Sequence, residues 1–325
     1  MTSVPAGLRS KFIPGAAGLL AGAVVLALLG SVLPSYYVGL LTEALILGIF
    51  AMSLDLLLGY TGLPSLGHAA YFGAGAYGVA ILSVKLGLAW WWAAIGGAAF
   101  GVFAAAVFGV LALRTSGVFF LMITLALAQV LWAIAFGWRA VTGGDDGLPG
   151  VARPDLGFAG VSLGTAANYY YAVLAIFLVS SLAMLVLTMS PIGYALRGIR
   201  DNERRMQALG YNVWLTKYIV FVISGGFAAL AGILMAYHKK FVSPEVLSVA
   251  LSAEALLMVI LGGAGTLFGS VVGAMAIVFL SNVISAYSDR WVLILGVIYV
   301  LVVIFAPAGI IGELRAKLRE RARVQ

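Results

Sequence analysis

The chain has 325 residues, of which 63% are hydrophobic and only 10% are charged, and its net charge is +7. A soluble domain would carry about 25% charged residues, so this composition excludes a soluble globular protein, and the positive charge indicates anchoring beside anionic lipid rather than nucleic-acid binding. The absence of cysteine excludes disulfides, thiolate catalysis and cysteine-based metal sites.

Long apolar runs predict an all-α, polytopic membrane protein in which residues 1–325 form one transmembrane domain. A bilayer core needs about 20 apolar residues per helix. We predict about ten membrane segments, at 16–34, 38–58, 67–84, 89–113, 117–138, 168–189, 217–237, 249–263, 266–287 and 291–307. With the N-terminus inside, most of the 19 lysines and arginines fall on the cytoplasmic side, including a basic tail at 313–325. The positive-inside rule therefore predicts that both termini are cytoplasmic.

Two glycine-rich stretches predict one or two broken or re-entrant helices. The first, at 59–67, follows the second segment, and a short cytoplasmic turn is an equally weighted alternative there. The second follows residues 249–261, which as a helix reach only about 20 Å of a ~30 Å core. Irregular backbone at membrane depth survives only when it is buried or lines a cavity. We therefore place these residues near a translocation path: Gly59, Gly62, Gly67, His68, Gly262, Gly263 and Gly265.

Three acidic residues, Glu43, Asp55 and Glu254, fall within predicted segments. Ionisable groups at membrane depth usually face a cavity or a partner, so such residues either line a polar path or sense protons, or they bond to backbone or Ser/Thr groups at helix breaks. For Asp55, which lies near the predicted cytoplasmic boundary, we favour such a structural bond. For Glu43 and Glu254 both interpretations stay open, and we include these two in the candidate path. His68 is more typical of a helix start or a packing position than of a ligand.

A charged island at 190–212 interrupts the apolar sequence and carries six charged residues. Ser190 suits an N-cap, Pro191 suits the first turn, and Gly210 suits a left-handed helix end, so the island is predicted to be an amphipathic helix. Its apolar arc would comprise Ala195, Leu196, Ile199 and Met206.

The polar arc of this predicted helix would be stabilised by two i,i+4 pairs, Arg197–Asp201 and Asp201–Arg205. Because such a segment can lie neither in the core nor in lipid, it is predicted to be a cytoplasmic surface. An ordinary amphipathic surface helix is the plainer interpretation, and a docking platform is the functional one.

Motifs for nucleotide binding and catalysis are missing from the sequence. It contains no P-loop and no H-E-x-x-H motif, and no nucleophile–base set is evident. We therefore predict a non-enzyme without metal or cofactor. A membrane pore that has a docking surface but no nucleotide-binding site would need a separate protein to supply the energy for transport.

Three blocks of the chain resemble LivM-type permeases of the branched-chain amino acid ABC transporter family. They are LDLLLGYTGLPSLGHAAYFGAGAY from Leu54, the region Leu113–Leu148 with TGGDDGL, and Ser190–Gly273 with SPIGYALRGIRDNERRMQALGYN and SAEALLMVILGGAGTLFGSVVG. The island resembles the cytoplasmic coupling loop of such importers. Many members of this family have asparagine where this chain has Asp55.

The resemblance implies a permease in a bacterial inner membrane that moves branched-chain amino acids or related small solutes from a periplasmic binding protein to the cytoplasm. It also implies a second permease subunit and two cytoplasmic ATPase subunits. The residues expected to dock onto the ATPase are Arg197, Gly198, Arg200, Asp201, Glu203, Arg204, Leu209 and Gly210.

Two other functions fit parts of the sequence. An ion-coupled secondary transporter using Glu43 or Glu254 would explain the acids but leaves the island without a role. A non-transport assembly or scaffold protein would leave the broken helices unexplained. Uptake that needs ATP and survives an uncoupler favours the importer, whereas uptake by this chain alone favours the secondary transporter.

Overall fold

The computed structural model describes residues 22–154 and 163–287, together with positions 290, 293, 294, 296–298, 300 and 309. These residues are mostly helical. The helices are α1 (Gly22–Val32), α2 (Ser35–Thr61), α3 (His68–Ala80), α4 (Trp90–Ala112), α5 (Val118–Gly137), α6 (Arg139–Thr142), α7 (Ala166–Met189), α8 (Pro191–Asp201), α9 (Glu203–Ala208), α10 (Val213–Lys239), α11 (Val249–Gly262) and α12 (Leu267–Tyr287). A π-helical turn (Ile81–Lys85) extends α3, and two short strands, β1 (Leu148–Pro149) and β2 (Phe241–Val242), pair antiparallel.

Six of these helices are long and apolar enough to cross a membrane, namely α2, α4, α5, α7, α10 and α12. The chain is thus a multi-pass helical membrane protein. The predicted segments at 67–84 and 249–263 correspond to the shorter helices α3 and α11, so the described residues support fewer full spans than the ten predicted. Predictions for 16–21, for most of 291–307 and for the tail 313–325 lie outside the described residues.

The core of the bundle consists of α2, α3 and α10. All residues of α3 are buried, and α2 is the most deeply buried of the six long helices. By contrast, α4 and α5 leave many apolar side chains exposed. A helix that is apolar on every side is stable at the surface only in contact with lipid or another subunit, so α4 and α5 form the periphery.

Glycines let the backbones of the core helices come close together. A Cβ on Gly97 of α4 would meet the backbone of α3 at Gly75 and Val79, and a Cβ on Gly273 of α12 would overlap the carbonyl of Met258 in α11. Gly97/Gly101 and Gly269/Gly273 have GxxxG spacing, which permits this kind of contact.

Helix α3 begins inside the bundle and not at its surface. His68, its first residue, has its Nε2 atom 2.8 Å from the hydroxyl of Ser53, which precedes the end of α2 by eight residues, or about 12 Å. Residues 62–67 therefore turn back into the bundle without regular structure. The predicted break is present, and the alternative of an ordinary surface turn is wrong.

Helix α11 is the second half-helix. It contains 14 residues and is about 21 Å long. A 3₁₀ helix before it, Pro244–Leu247, enters the bundle, where Leu247 is buried against Gly73 of α3. The hydroxyl of Ser252 accepts a hydrogen bond of 2.9 Å from the backbone N–H of Ala69. The first turns of α3 and α11 thus meet inside the bundle, and the two helices then run toward opposite ends.

Candidate functional site: the α8–α9 loop and the helix breaks

The charged island folds as two helices, α8 and α9, which lie across one end of the bundle. As predicted, Ser190 caps α8, with its hydroxyl accepting from the N–H of Gly193 at 3.4 Å, and Gly210 is left-handed with φ 86°. The prediction of one continuous helix was wrong, because Asn202 is extended between the two helices. Its side chain accepts a 3.0 Å hydrogen bond from the N–H of Arg205 and so caps α9.

The apolar arc of the island is buried, and this is true of all four members, Ala195, Leu196, Ile199 and Met206. Leu196 belongs to the core of the bundle, whereas the other three form a separate cluster with Val213 at the start of α10. Met206 folds α9 against α8, since its sulfur would lie 2.7 Å from a Cβ added to Gly198. Gly198 therefore serves contact within the loop.

Arg197 lies against the membrane helices rather than on the outer rim. One guanidinium nitrogen donates a 2.6 Å hydrogen bond to the carbonyl of Thr188, and the guanidinium carbon lies 5.3 Å from the ring centre of Tyr60 and 5.0 Å from that of Tyr194. A cation over an aromatic face is stabilised by the ring quadrupole. Arg197 thus joins α8 to the ends of α7 and α2.

Arg200 also points toward the bundle. Its Nη1 atom donates a hydrogen bond to the carbonyl of Gly59 in the last turn of α2. The last carbonyls of a helix have no partner within the helix, and a cation there is favoured by the helix dipole. Arg200 therefore stabilises the end of α2, which is closed by Gly62 in the left-handed conformation at φ 72°.

Gly59 is also the point where the second helix break meets α2. A Cβ on Gly59 would overlap the backbone of Gly265, which lies in the turn between α11 and α12. The N–H of Gly265 donates a 2.7 Å hydrogen bond to Oδ1 of Asp55, one turn before Gly59. The predicted structural bond of Asp55 at a helix break is confirmed.

The remaining charges of the loop face solvent or α10. Glu203 forms a 2.7 Å ion pair with Lys217 at the start of α10. Both predicted i,i+4 pairs are wrong: Asp201 instead lies 3.8 Å from the guanidinium of Arg200, an adjacent residue, and both of these side chains are well exposed. Arg204 and Leu209 are also exposed, Leu209 to 67%.

His68 and Gly67 lie in the core, away from this junction. The ring of His68 is fully buried and stacks on Phe50 with 5.4 Å between ring centres. A Cβ on Gly67 would overlap the backbone of Thr124 in α5. His68 is therefore a packing histidine at a helix start, as its sequence position indicates.

Glu43 and Glu254 lie toward the other half of the bundle. Glu43 forms a 2.7 Å ion pair with Lys239 at the end of α10, a partner that sequence analysis missed. Glu254 follows Ser252 by two residues in α11, is partly buried and is close enough to Glu43 for an electrostatic interaction. The structure thus separates the candidate path residues into an acidic pair and a glycine junction.

The glycine junction comprises the α2 end and the α11–α12 turn. Gly59, Gly62 and Gly265 all contact Arg200 or one another there. Gly262 packs on Gly269, and Gly263 at φ 100° ends α11. Within 22–154 and 163–287, no group of three or more His, Cys, Asp or Glu side chains could hold a metal ion.

A bundle of membrane-crossing helices with two half-helices and a charged loop across one end is typical of a transport permease. Residues 36–306 match the family model described as "Branched-chain amino acid transport system / permease component". The chain belongs to this family, and within it is of the LivM type.

Among curated proteins, the chain is 27% identical to the LivM high-affinity branched-chain amino acid permease of Escherichia coli, covering 87% of this chain and 71% of the relative. It is 27% identical to LivH of Salmonella typhimurium over 52% of this chain and 58% of the relative. It is 30% identical to the ribose import permease RbsC of Haemophilus influenzae over 39% of this chain and 41% of the relative. These relatives are permease subunits, and the chain is likewise a transport subunit and not an enzyme. No solved structure matches it.

Proposed function

We propose that this protein is one of two permease subunits of an ATP-driven importer of branched-chain amino acids in a bacterial inner membrane. The exposed α8–α9 loop carries this proposal, because it is a charged surface fixed to the ends of several membrane helices. A transport subunit without a nucleotide-binding site of its own needs such a surface to bind an ATPase subunit. The names of the LivM and LivH relatives supply the substrate class.

In this proposal, two cytoplasmic ATPase subunits bind the loop and a periplasmic binding protein delivers the substrate. The side chains offered to the ATPase are those that face solvent: Asp201, Arg204 and Leu209. Protein interfaces typically have an apolar centre and a polar rim, and an exposed leucine surrounded by charged residues fits this pattern. Both chain termini and the loop then lie in the cytoplasm, as the charge asymmetry predicts.

The proposal is tested with membranes containing the chain and its native partners. Tagged protein is purified in mild detergent, its partners are identified by mass spectrometry, and the complex is reconstituted for uptake of radiolabelled leucine. We expect two ATPase subunits and a second permease to copurify, and uptake to need ATP and binding protein but to survive an uncoupler. Uptake by the chain alone, abolished by the uncoupler, would establish the ion-coupled transporter instead.

Docking is tested by Leu209→Asp, which places a charge on the proposed contact without touching the bundle. We expect the ATPase to be lost from the purified complex. Leu86→Asp is the matched control, because Leu86 is 63% exposed but lies in the connection between α3 and α4 at the other end of the bundle. Equal ATPase recovery with both variants would contradict docking at Leu209.

A further inference from the structure

The end of α2 makes more contacts than are needed to stabilise the end of a single helix. Three separate elements meet at Gly59: α2 itself, the α11–α12 turn and α8. Arg200 Nη1 lies 3.4 Å from the position that a Cβ on Gly265 would occupy, so it contacts both helix breaks at once. Arg200 is also close enough to Asp55 for an electrostatic interaction.

The second contact of α8 leads to the same place. Arg197 lies over Tyr60, the residue after Gly59, and donates a hydrogen bond to the carbonyl of Thr188 at the end of α7. Two arginines of α8, three residues apart and hence on one face, therefore hold two consecutive residues of α2. That end of α2 is where the tip of the α11–α12 hairpin is held, through Gly59 and Asp55.

The α11–α12 hairpin is built to move as one body. Cβ atoms on Gly262, Gly269 and Gly273 would each overlap the backbone of the opposite helix, so the two backbones are in direct contact. Close-packed helices transmit displacement because their contacts leave no space to absorb it. The far end of α11 contacts α3 through Ser252 and Ala69, inside the bundle.

We propose that Arg200 and Asp55 are positioning residues that join α8 to the tip of the α11–α12 hairpin, so that movement of the loop reaches the meeting point of the two half-helices. Arg200 holds α8 on the end of α2, and Asp55 holds the hairpin tip on the same turn of α2. This inference rests on the proposed function, because it names the connection through which a bound ATPase opens or closes the path. It also gives Arg200, predicted as an ATPase-docking residue, a contact with the end of α2, although its side chain remains 43% exposed.

The first test separates transport from ATP hydrolysis in the reconstituted complex. Arg200→Ala should lower leucine uptake by about tenfold, the effect of losing one charge-assisted hydrogen bond, while ATPase recovery and ATP hydrolysis stay within about twofold of wild type. Arg200→Lys should recover part of the uptake because it keeps a donor cation. Arg205→Ala is the matched control, since Arg205 is an exposed arginine of the same loop. A merely structural defect would lower uptake and hydrolysis together.

Asp55 gives a stricter version of the same test. Asp55→Asn keeps the acceptor oxygen for the Gly265 N–H and should retain uptake, whereas Asp55→Ala removes it and should lower uptake while hydrolysis continues. Normal uptake in both Arg200→Ala and Asp55→Ala would overturn the proposal. Loss of the ATPase subunits from the Arg200→Ala complex would also overturn it, because Arg200 would then act in docking.

A second measurement does not depend on transport. Because the chain has no cysteine, Ile192→Cys in α8 and Ala264→Cys in the α11–α12 turn, both at exposed positions, can carry a single pair of spin labels. In the purified full-length chain, Arg200→Ala should broaden the distance distribution between the labels, and Arg205→Ala should not. An unchanged distribution with Arg200→Ala would overturn the connection. If the wild-type complex shows no ATP-dependent uptake, the proposed function fails, but this measurement still tests the connection.

Discussion

The two helices of the loop, α8 and α9, carry two arginines each and hold them in opposite ways. Arg197 and Arg200 of α8 lie against Tyr60 and Gly59 of α2, whereas Arg204 and Arg205 of α9 are exposed. The difference follows from the partners, because the ends of α2 and α7 offer carbonyls and an aromatic face to α8 only. Positive charge in this loop therefore has two separate roles: Arg197 and Arg200 hold α8 on the membrane helices, and Arg204 is available for the proposed contact with the ATPase.

The largest loss of stability should come from adding a side chain at Gly59, where α8 and the α11–α12 hairpin both contact α2. Gly59→Leu would place side-chain atoms inside the backbone of Gly265 and against Asp55, and should lower the free energy of unfolding by several kcal/mol. Gly39→Ala, in the same helix, is the control, since a Cβ there has no neighbour within 4 Å and should be neutral or slightly stabilising. Folded yield and unfolding temperature in detergent measure both. Equal values for the two variants would contradict the close approach at Gly59.

The comparison between α8 and α9 is tested most directly by removing one arginine from each. Arg197→Ala loses a charged hydrogen bond to Thr188 and the contact with Tyr60, and should cost about 2 kcal/mol. Arg204→Ala removes an exposed side chain and should stay within about 0.5 kcal/mol of wild type. Denaturation in detergent measures the difference. Similar losses from both would show that α9 is as firmly anchored as α8.

A smaller effect is expected at the ion pair that joins α9 to α10. Glu203→Gln keeps an acceptor oxygen but removes the negative charge beside Lys217, and since the Lys217 side chain is only 12% exposed, the cost should be about 1 kcal/mol. The double variant Glu203→Lys with Lys217→Glu should regain most of the loss, because it restores the pair in reverse. Thermal unfolding of the two variants in low salt provides the measurement, and no recovery in the reversed pair would show that charge attraction is unimportant there.

Local chemistry predicted the ends of the loop but not its interior. Ser190 and Gly210 act on their own neighbours, so their cap roles follow from sequence. Asn202 also acts locally, and the Asn202–Glu203 pair is an N-cap followed by an acidic first turn, a signal that could have predicted the break. The inward direction of Arg197 and Arg200 depends on α2, about 140 residues earlier in the chain, and no pattern within 190–212 contains that information.

The membrane part shows the same division. Glycine-rich sequence and short apolar length predicted both helix breaks, because these properties are local. The meeting of α3 with α11 at Ala69 and Ser252 joins residues 183 positions apart, and the Glu43–Lys239 pair joins residues 196 apart. Such contacts are fixed by the packing of whole helices, so the sequence indicated candidate residues without showing which of them lie together.

The half-length of α3 has a consequence for how the protein is made. The 13 residues of α3 are about 20 Å long, and even with the π-helical turn Ile81–Lys85 the element is shorter than a ~30 Å bilayer core. Its buried surface is completed by α10, which begins at Val213, long after α3 has left the ribosome. Until α10 is synthesised, the surface of α3 that will contact α10 has no protein partner, and α3 can pack only against helices made earlier, such as α2 and α4. We therefore expect the centre of this permease to assemble only after most of the chain has been synthesised.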